Sequence, residues 1–380
     1  MIDTLKIKDL RNLGDISLSL GAVNVFIGKN GSGKTSLLES VFLLSRGKSF
    51  RHFEAKRYIS HTKDTCTIWA AVGDDSFAIA KHKDPNTKTD LRHNQSPLSG
   101  QATLTKRLPT LIIDPSGMDI LEDGSASRRQ LLDWLCFHTE DGFHTAWLNY
   151  QRLLKQRNAL LKTAQAAPEH SEKRTALIAQ IHAWDSGLSE YAHQLHAMRQ
   201  TAFLRWQATF ATLIDTLLPA YQGQINLGLL AGFDTDTPLK THLAQRLAQD
   251  IELGYTRVGV HRADLTISLK SPLDNGKTHK EQAVNVLSRG EKKLLITALK
   301  LSSLMEVCTQ TTDSTPLVLI DDIDSELDEN ATMLLLKTLL GLPCQLFISS
   351  LNESLVHHLK NHTKKDLRVF SLAQGKATPL

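Results

Sequence analysis

A short apolar run, a glycine-rich octapeptide and a helix pattern follow one another between Val23 and Leu44, and no other feature restricts the fold as much. Val23-Asn24-Val25-Phe26-Ile27 has the length and β-branched content of a buried strand. Gly28-Lys29-Asn30-Gly31-Ser32-Gly33-Lys34-Thr35 fits G-x-x-x-x-G-K-[ST], and the spacing of Leu37, Leu38, Val41, Phe42 and Leu44 predicts a helix from Ser36. Glycines in such a loop let successive backbone N–H groups turn inward around phosphates, and the helix N-terminus adds partial positive charge. Gly28 to Ser36 are therefore candidate nucleotide contacts, with Lys34 neutralising the β/γ-phosphates and Thr35 ligating Mg²⁺.

A phosphate loop needs a carboxylate at a neighbouring strand end to hold the metal's water shell. Leu317-Val318-Leu319-Ile320-Asp321-Asp322 supplies an apolar strand ending in two acids. Asp321 is assigned to Mg²⁺ through water, and Asp322 to orienting or activating the attacking water. Most of the 380 residues lie between Lys34 and Asp321, more than a compact nucleotide-binding domain needs. At roughly 100–200 residues per domain, the length allows two domains or one with a large insertion. From about Ser125 the period changes. Phe143, Trp147, Tyr150, Leu154 and Leu161 share a helical stripe that Arg157 interrupts, and Leu177, Ile181, Trp184, Leu188, Tyr191, Leu195 and Met198 form a heptad seam. With Pro168 in a loop over 164–171, this predicts an antiparallel hairpin roughly 35–40 Å long, whose register slips after Met198 and resumes at Phe203. Leu5/Ile7, Ile16/Leu18/Leu20, Thr67–Val72, Phe77–Ala80 and Leu111–Ile113 predict strands before it, and Leu265/Ile267/Leu269 predict one after it, with a hairpin tip at 271–279. The expected class is α/β: a head split into 1–124 and 251–380, with a helical, coiled-coil-like arm inserted at 125–250.

Leu287-Ser288-Arg289-Gly290-Glu291 opens a predicted helix, and alone Ser288 to Glu291 reads as a capping box. Beside the two nucleotide motifs it resembles the L-S-G-G-Q signature of ABC-type ATPases. That resemblance implies that Ser288, Arg289, Gly290 and Glu291 meet the γ-phosphate held by a second subunit. Ser325-Glu326-Leu327-Asp328 stands where such ATPases carry the D-loop, which would put Asp328 at the dimer seam. Phe347-Ile348-Ser349-Ser350 ends where ABC transporters place a switch histidine; serine cannot sense charge in that way, so slow hydrolysis is expected.

The wide separation of the halves around an arm resembles the split heads of the structural-maintenance-of-chromosomes (SMC) class. More specifically, the chain is similar to the RecF family of bacterial recombination and gap-repair ATPases. The similarity runs through Leu10-Arg11-Asn12, the octapeptide, Gly47–Arg51, Gly124–Asp133, Gln156–Lys162, Gly259–Leu265, Leu287–Leu294 and Asp321–Asp328. It implies a homodimer closed by ATP and Mg²⁺ that binds DNA at single-strand gaps and duplex junctions. It also implies work with RecR and RecO toward RecA loading, replication restart and SOS induction, and adenine contacts at Arg11 and Asn12.

Lys+Arg 44 against Asp+Glu 40 leaves +4, so affinity for a polyanion must come from local clusters. Arg46, Lys48, Arg51, Lys56 and Arg57 against Glu54, with Phe50 and Phe53 interleaved, are candidate DNA contacts, a solvated loop being the alternative. Lys360, Lys364, Lys365 and Arg368 form a second cluster, while Arg152, Lys155, Arg157 and Lys162 on the arm could meet DNA or a protein. The amino end lacks an apolar signal core and no run approaches ~20 apolar residues, which predicts a cytoplasmic chain with no membrane contact, and the family resemblance implies association with the nucleoid. Cys66, Cys136, Cys308 and Cys344 are scattered and read as reduced core thiols, and no metal is expected beyond the nucleotide's. The alternatives are an ABC-type energy module, which usually brings a switch histidine and compact spacing, and a nucleotide-binding scaffold that does not act directly on DNA.

Overall fold

The computed structural model describes residues 1–114, 117–122, 124–272, 278–323 and 328–380. The chain forms two compact units, Met1–Gly117 with Lys293–Leu380, and Met118–Lys292.

In the first unit the strand Val23–Ile27 is buried along its whole length. It pairs in parallel with Gln345–Ser350 on one side and Leu367–Ala373 on the other. Leu317–Ile320 and Thr110–Ile113 extend the parallel sheet, and Lys376–Pro379 closes the opposite edge antiparallel. Strands buried on both faces read as continuous apolar runs, as Leu317–Ile320 does. Two buried amides fix the alignment. Gln345 accepts from Ile2 N (2.8 Å) and donates to Ile2 O and Gly21 O (both 2.8 Å), and Asn24 bonds Gly21 N, Gly21 O and Leu346 O (2.9, 2.9 and 3.1 Å). A second sheet, antiparallel throughout, runs in the order Leu13–Ser19, Thr4–Leu10, Thr65–Val72, Asp75–His82, Asp90–His93, Ser96–Pro97. The helix Lys34–Arg46 packs with both. Leu37, Val41 and Leu44 share one core with Ile7, Ile68 and Ile79 of the antiparallel sheet and Phe26, Leu319 and Phe347 of the parallel one.

In the second unit, helices Phe143–Ala166 and Glu172–Leu217 are the two legs of the expected hairpin. Ser171 caps the second leg by accepting from Arg174 N (3.2 Å). That helix continues through Met198 without a break, and its 46 residues would span about 70 Å at ~1.5 Å each. The buried row is not the one the apolar spacing predicts. Ile181, Leu188 and Leu195 are buried, but Leu177, Trp184, Tyr191 and Met198 are only half-buried, and the second core row is Asp185, Ala192 and Arg199. Two charged residues thus occupy core positions.

Their partners explain this. Arg157, fully buried, donates from Nε to Asp185 (2.8 Å) and from Nη1 to Asp250 (2.8 Å) and Thr256 Oγ1 (2.7 Å). Arg199 donates to Asp133 (2.9 Å) and to Val260 O (2.7 Å). Arg157 therefore interrupts the apolar stripe because it is the centre of a buried ion cluster, and it is not available to DNA or to a partner protein.

The expected boundary at 250/251 is also displaced. Asp264–Pro272 pairs antiparallel with Ile225–Leu230 and with Thr278–Gln282, so these strands build a separate three-stranded sheet beside the helices instead of rejoining the first unit's sheets. Residues 273–277 of the expected hairpin tip lie outside the described residues. No helix among the described residues is long and apolar enough to cross a membrane.

Removing one partner of a buried ion cluster strands the remaining charges, which costs about 3–5 kcal/mol. Arg157→Ala is expected to lower the unfolding free energy by about that amount in urea titration. A second prediction concerns His261. Tyr150 Oη donates to its Nδ1 (2.6 Å) and its Nε2 donates to Thr256 O (3.0 Å), bonds that fix the neutral ring with its proton on Nε2. Burial, reinforced by the nearby Arg262, Arg129 and Arg157 against the bond to Thr256, pulls its pKa down to about 4. Between about 4 and the unfolded value near ~6.5, the unfolded chain binds the extra proton. The stability tied to the neutral ring is therefore complete above ~6.5 and lost as pH falls toward about 4, by at most ~1.4 kcal/mol per pH unit. Urea unfolding across this window is expected to show a shallower acid dependence for His261→Gln than for the wild type.

Candidate nucleotide site and basic segment

The octapeptide forms the turn between Val23–Ile27 and Lys34–Arg46. Gly33 sits at φ +113°, and a Cβ there would come within 2.6 Å of Leu13 Cδ2, so both conformation and space demand glycine. The helix begins without a side-chain cap, although the first four N–H groups of any helix lack intrahelical partners. Ser32 Oγ is buried with no hydrogen-bond partner among the described residues. Lys34 is buried, its ammonium held by Gly28 O (2.8 Å) and Lys29 O (3.4 Å). An uncapped helix start, an orphaned hydroxyl and a buried ammonium in one loop suit an anion with several oxygens.

Opposite the loop, the parallel register brings Asp321 to Thr35, whose Oγ1 donates to Asp321 Oδ1 (3.1 Å). Ser349 joins the same group: its hydroxyl donates to Asp321 Oδ1 (2.7 Å) and accepts from Asp322 N (2.7 Å). Asp322 occupies the left-handed region at φ +43°, an uncommon conformation in which this hydrogen bond holds it. Burial raises the Asp321 pKa, as do Asp322 and Asp114, while the bonds from Ser349 and Thr35 oppose the rise. A hydroxyl beside a carboxylate is a hard oxygen pair of the kind Mg²⁺ takes, with water completing its shell, so the residues present fit that ion.

Two residues that the loop motif does not contain tie it to its surroundings. Asn12 donates to Gly31 O (3.0 Å) and accepts from Ser36 Oγ (3.3 Å). Arg11, at φ +51°, pairs through Nε and Nη2 with Glu39, fully buried on the loop's helix, and its backbone N–H donates to Tyr58 O (2.7 Å). Glu39 also accepts from Ser49 Oγ, and that oxygen in turn accepts from Arg51 N and His52 N (2.9 and 3.0 Å). The segment carrying the candidate DNA contacts is thus joined to the phosphate-loop helix through a buried carboxylate. Spacing offered little signal for this, since Glu39 resembles any surface acid on a helix.

Lys48, Arg51, Lys56 and Arg57 are exposed, and Lys56 and Arg57 both approach Glu54 (3.2 and 3.7 Å). Arg46 is half-buried over the Phe42 ring (5.9 Å), and burial pushes its pKa down to about 10. Phe50 meets Phe42 edge-on (5.4 Å) and packs against the core, so of the two interleaved aromatics only Phe53 faces solvent. The second cluster is partly engaged: Lys365 Nζ donates to Leu342 O (2.6 Å), and Arg368 pairs with Asp366 (3.2 Å).

In the second unit the capping box is formed. Ser288 N donates to Glu291 Oε2 (2.8 Å) and Glu291 N to Ser288 Oγ (3.4 Å), with the Ser288, Arg289 and Gly290 side exposed at the start of helix Arg289–Gln310. Asp328 is exposed and caps helix Glu329–Gly341 by accepting from Ala331 N (2.9 Å), while Ser325, Glu326 and Leu327 lie outside the described residues.

Two sheets wrapped round a phosphate-loop helix, with an acid pair facing the loop and a helical arm between the halves of the sequence, define a P-loop ATPase head of the SMC kind. The RecF/RecN/SMC N-terminal domain family matches residues 1–377. Among curated relatives, the DNA replication and repair protein RecF of Acinetobacter baylyi is 39% identical over 360 residues, covering 94% of each chain. That of Acinetobacter baumannii is 37% identical over 375 residues, covering 98% of each. The solved structure of the recombination mediator protein RecF with ATP, in the RecFOR pathway, shares the fold at TM-score 0.81 and 23% identity, covering 100% of this chain and 97% of that one. An Smc head domain with an extended coiled coil, from Pyrococcus furiosus, follows at TM-score 0.54 and 14% identity, covering 100% and 95%. This chain belongs to the RecF family of DNA replication and repair proteins.

Deleting the Ser49 hydroxyl removes the acceptor of two backbone N–H groups, each bond worth about 1 kcal/mol. Ser49→Ala is expected to speed amide hydrogen exchange at Arg51 and His52 roughly fivefold, with little change in the strand Val23–Ile27.

Proposed function

We propose that this chain is an ATP-operated DNA clamp of recombinational gap repair, in which ATP holds two copies together and slow hydrolysis releases them. The observation that carries the reading is the meeting of Thr35 Oγ1 and Asp321 Oδ1 at 3.1 Å, with Ser349 bridging Asp321 to Asp322. Gly28 to Ser36 would cradle the phosphates, and the Lys34 ammonium would turn from Gly28 O to the β/γ-phosphates. Mg²⁺, held by Thr35 and through water by Asp321, would supply charge neutralisation between the β- and γ-phosphates. Asp322 would orient or activate the attacking water.

Ser288, Arg289, Gly290 and Glu291 of one copy would meet the γ-phosphate held by the other, with Asp328 at the seam. The exposure of Ser288, Arg289 and Gly290 at the start of helix Arg289–Gln310 supports this, because a helix start left in solvent can serve a ligand that the same chain does not hold. Arg46, Lys48, Arg51, Lys56 and Arg57 are the proposed DNA contacts, at a gap or at the junction of single strand and duplex. The cellular setting is the cytoplasm and nucleoid, with RecR and RecO as partners toward RecA loading, replication restart and SOS induction.

The reading is tested by fluorescence anisotropy of a labelled gapped duplex in Mg²⁺, with a slowly hydrolysed ATP analogue or with ADP, at two salt concentrations. Tighter, salt-sensitive binding with the analogue is expected, and binding indifferent to the nucleotide would overturn the clamp. Two variants separate its steps. Lys34→Ala is expected to lose ATP affinity, and Ser288→Arg to bind ATP while remaining monomeric in sedimentation; dimers from both variants in ATP would contradict a shared site.

A further inference from the structure

Phe53 is 96% exposed, more than any other large apolar side chain among the described residues, in a segment otherwise tied down at Ser49 and Tyr58. It lies on a groove of about 400 Å³ whose other lining includes Lys56, Lys81 and Lys83, with Glu54 and Asp84. Lys81 Nζ donates to Thr89 Oγ1 (2.9 Å) and Lys83 Nζ to His61 O (2.8 Å), neutral acceptors that orient the ammoniums without cancelling their charge. The two lysines come from strand Asp75–His82 and the residue after it, so the groove joins the basic segment to the antiparallel sheet. No motif in the sequence points to it, because Phe53 and Lys81 are far apart in the chain.

An aromatic ring left in water costs free energy unless something covers it. A protein surface would need a broad apolar face around the ring, and here Tyr58 is buried, Ala55 packs into the core and Pro85 is left among three lysines and two acids. A nucleotide supplies both complements at once: a base presents a flat π-face to the ring, and its phosphate reaches the ammoniums. Glu54 and Asp84 nearly balance the lysines, so backbone attraction alone is weak in this groove and stacking discriminates. Paired bases inside a duplex have no free face. We infer that Phe53, with Lys56, Lys81 and Lys83, forms a subsite for an unpaired base of single-stranded DNA, so that the clamp distinguishes a junction from continuous duplex. This rests on the DNA-binding reading above and names the strand that it grips.

The test compares wild type and Phe53→Ala on two labelled DNAs, a blunt duplex and the same duplex with a single-stranded overhang, in Mg²⁺ and the ATP analogue. Stacking predicts a loss of about ten- to a hundredfold on the overhang DNA alone, with Phe53→Trp retaining it. A 2-aminopurine placed in the overhang next to the junction is expected to be quenched by wild type and to stay bright with Phe53→Ala at concentrations where both proteins saturate the blunt duplex, which shows the variant folded and bound. Equal affinities of wild type and Phe53→Ala on the overhang DNA, or equal loss on both DNAs, would overturn the subsite while leaving DNA binding intact. In the first case the ring would be free for a protein partner instead. Wild type that binds neither DNA would overturn the DNA reading and this inference with it.

Discussion

Three parallel strands taken from opposite ends of the chain carry everything else in the first unit. Val23–Ile27 lies beside Gln345–Ser350, which lies beside Leu317–Ile320, and this order sets the ends of the phosphate-loop strand and the acidic strand on either side of Ser349 and Ser350. Because register in a sheet moves in whole residues, a slip of one would carry Ser349 away from Asp321 and Asp322 together. The buried amides of Gln345 and Asn24 oppose such a slip. Each is satisfied by backbone groups that a shifted strand would leave unpaired, at a cost of about 1–3 kcal/mol for each group.

The loop, its flanking strand and helix, and the acid pair were legible because each depends on residues a few positions apart: glycines where backbone must approach backbone, and an unbroken apolar run where both faces are covered. The helical hairpin was legible for the same reason. What periodicity could not show was which charged residues are internal. A search for apolar spacing skips Asp185 and Arg199 and moves the seam to Trp184, Tyr191 and Met198, although the charged pair holds the buried row. Ser349 is another case. The sequence identifies it only as a non-histidine, whereas its hydroxyl organises both acids. The strands after Thr256 were recognisable as strands, but their partner, Ile225–Leu230, places Asn226 and Gly228, two residues of low strand propensity, between Ile225, Leu227 and Leu229.

Glu39 shows how a single buried charge can connect two functions. A carboxylate with no solvent exposure must be fully engaged, and here Arg11 holds both oxygens of Glu39 while Ser49 shares Oε1. Arg11 and the residue after it make contacts with different roles: Asn12 touches the phosphate loop at Gly31, and the Arg11 backbone touches Tyr58 at the end of the basic segment. Occupancy of the loop and the posture of the segment therefore share one set of hydrogen bonds, the physical requirement for either to sense the other.

The placement of the arm's internal charges has a mechanical consequence. Asp185 and Arg199 stand in equivalent positions two heptads apart and have opposite signs, one matched to Arg157 and the other to Asp133. In a hairpin with a uniformly apolar seam, one leg can slide past the other by a heptad and find an equally greasy surface waiting. Here such a stroke would part Asp185 from Arg157 and strand both charges in the seam, so the two legs are bolted at that layer and cannot telescope, while Arg199 ties the long helix to Asp133 on the helix before the hairpin.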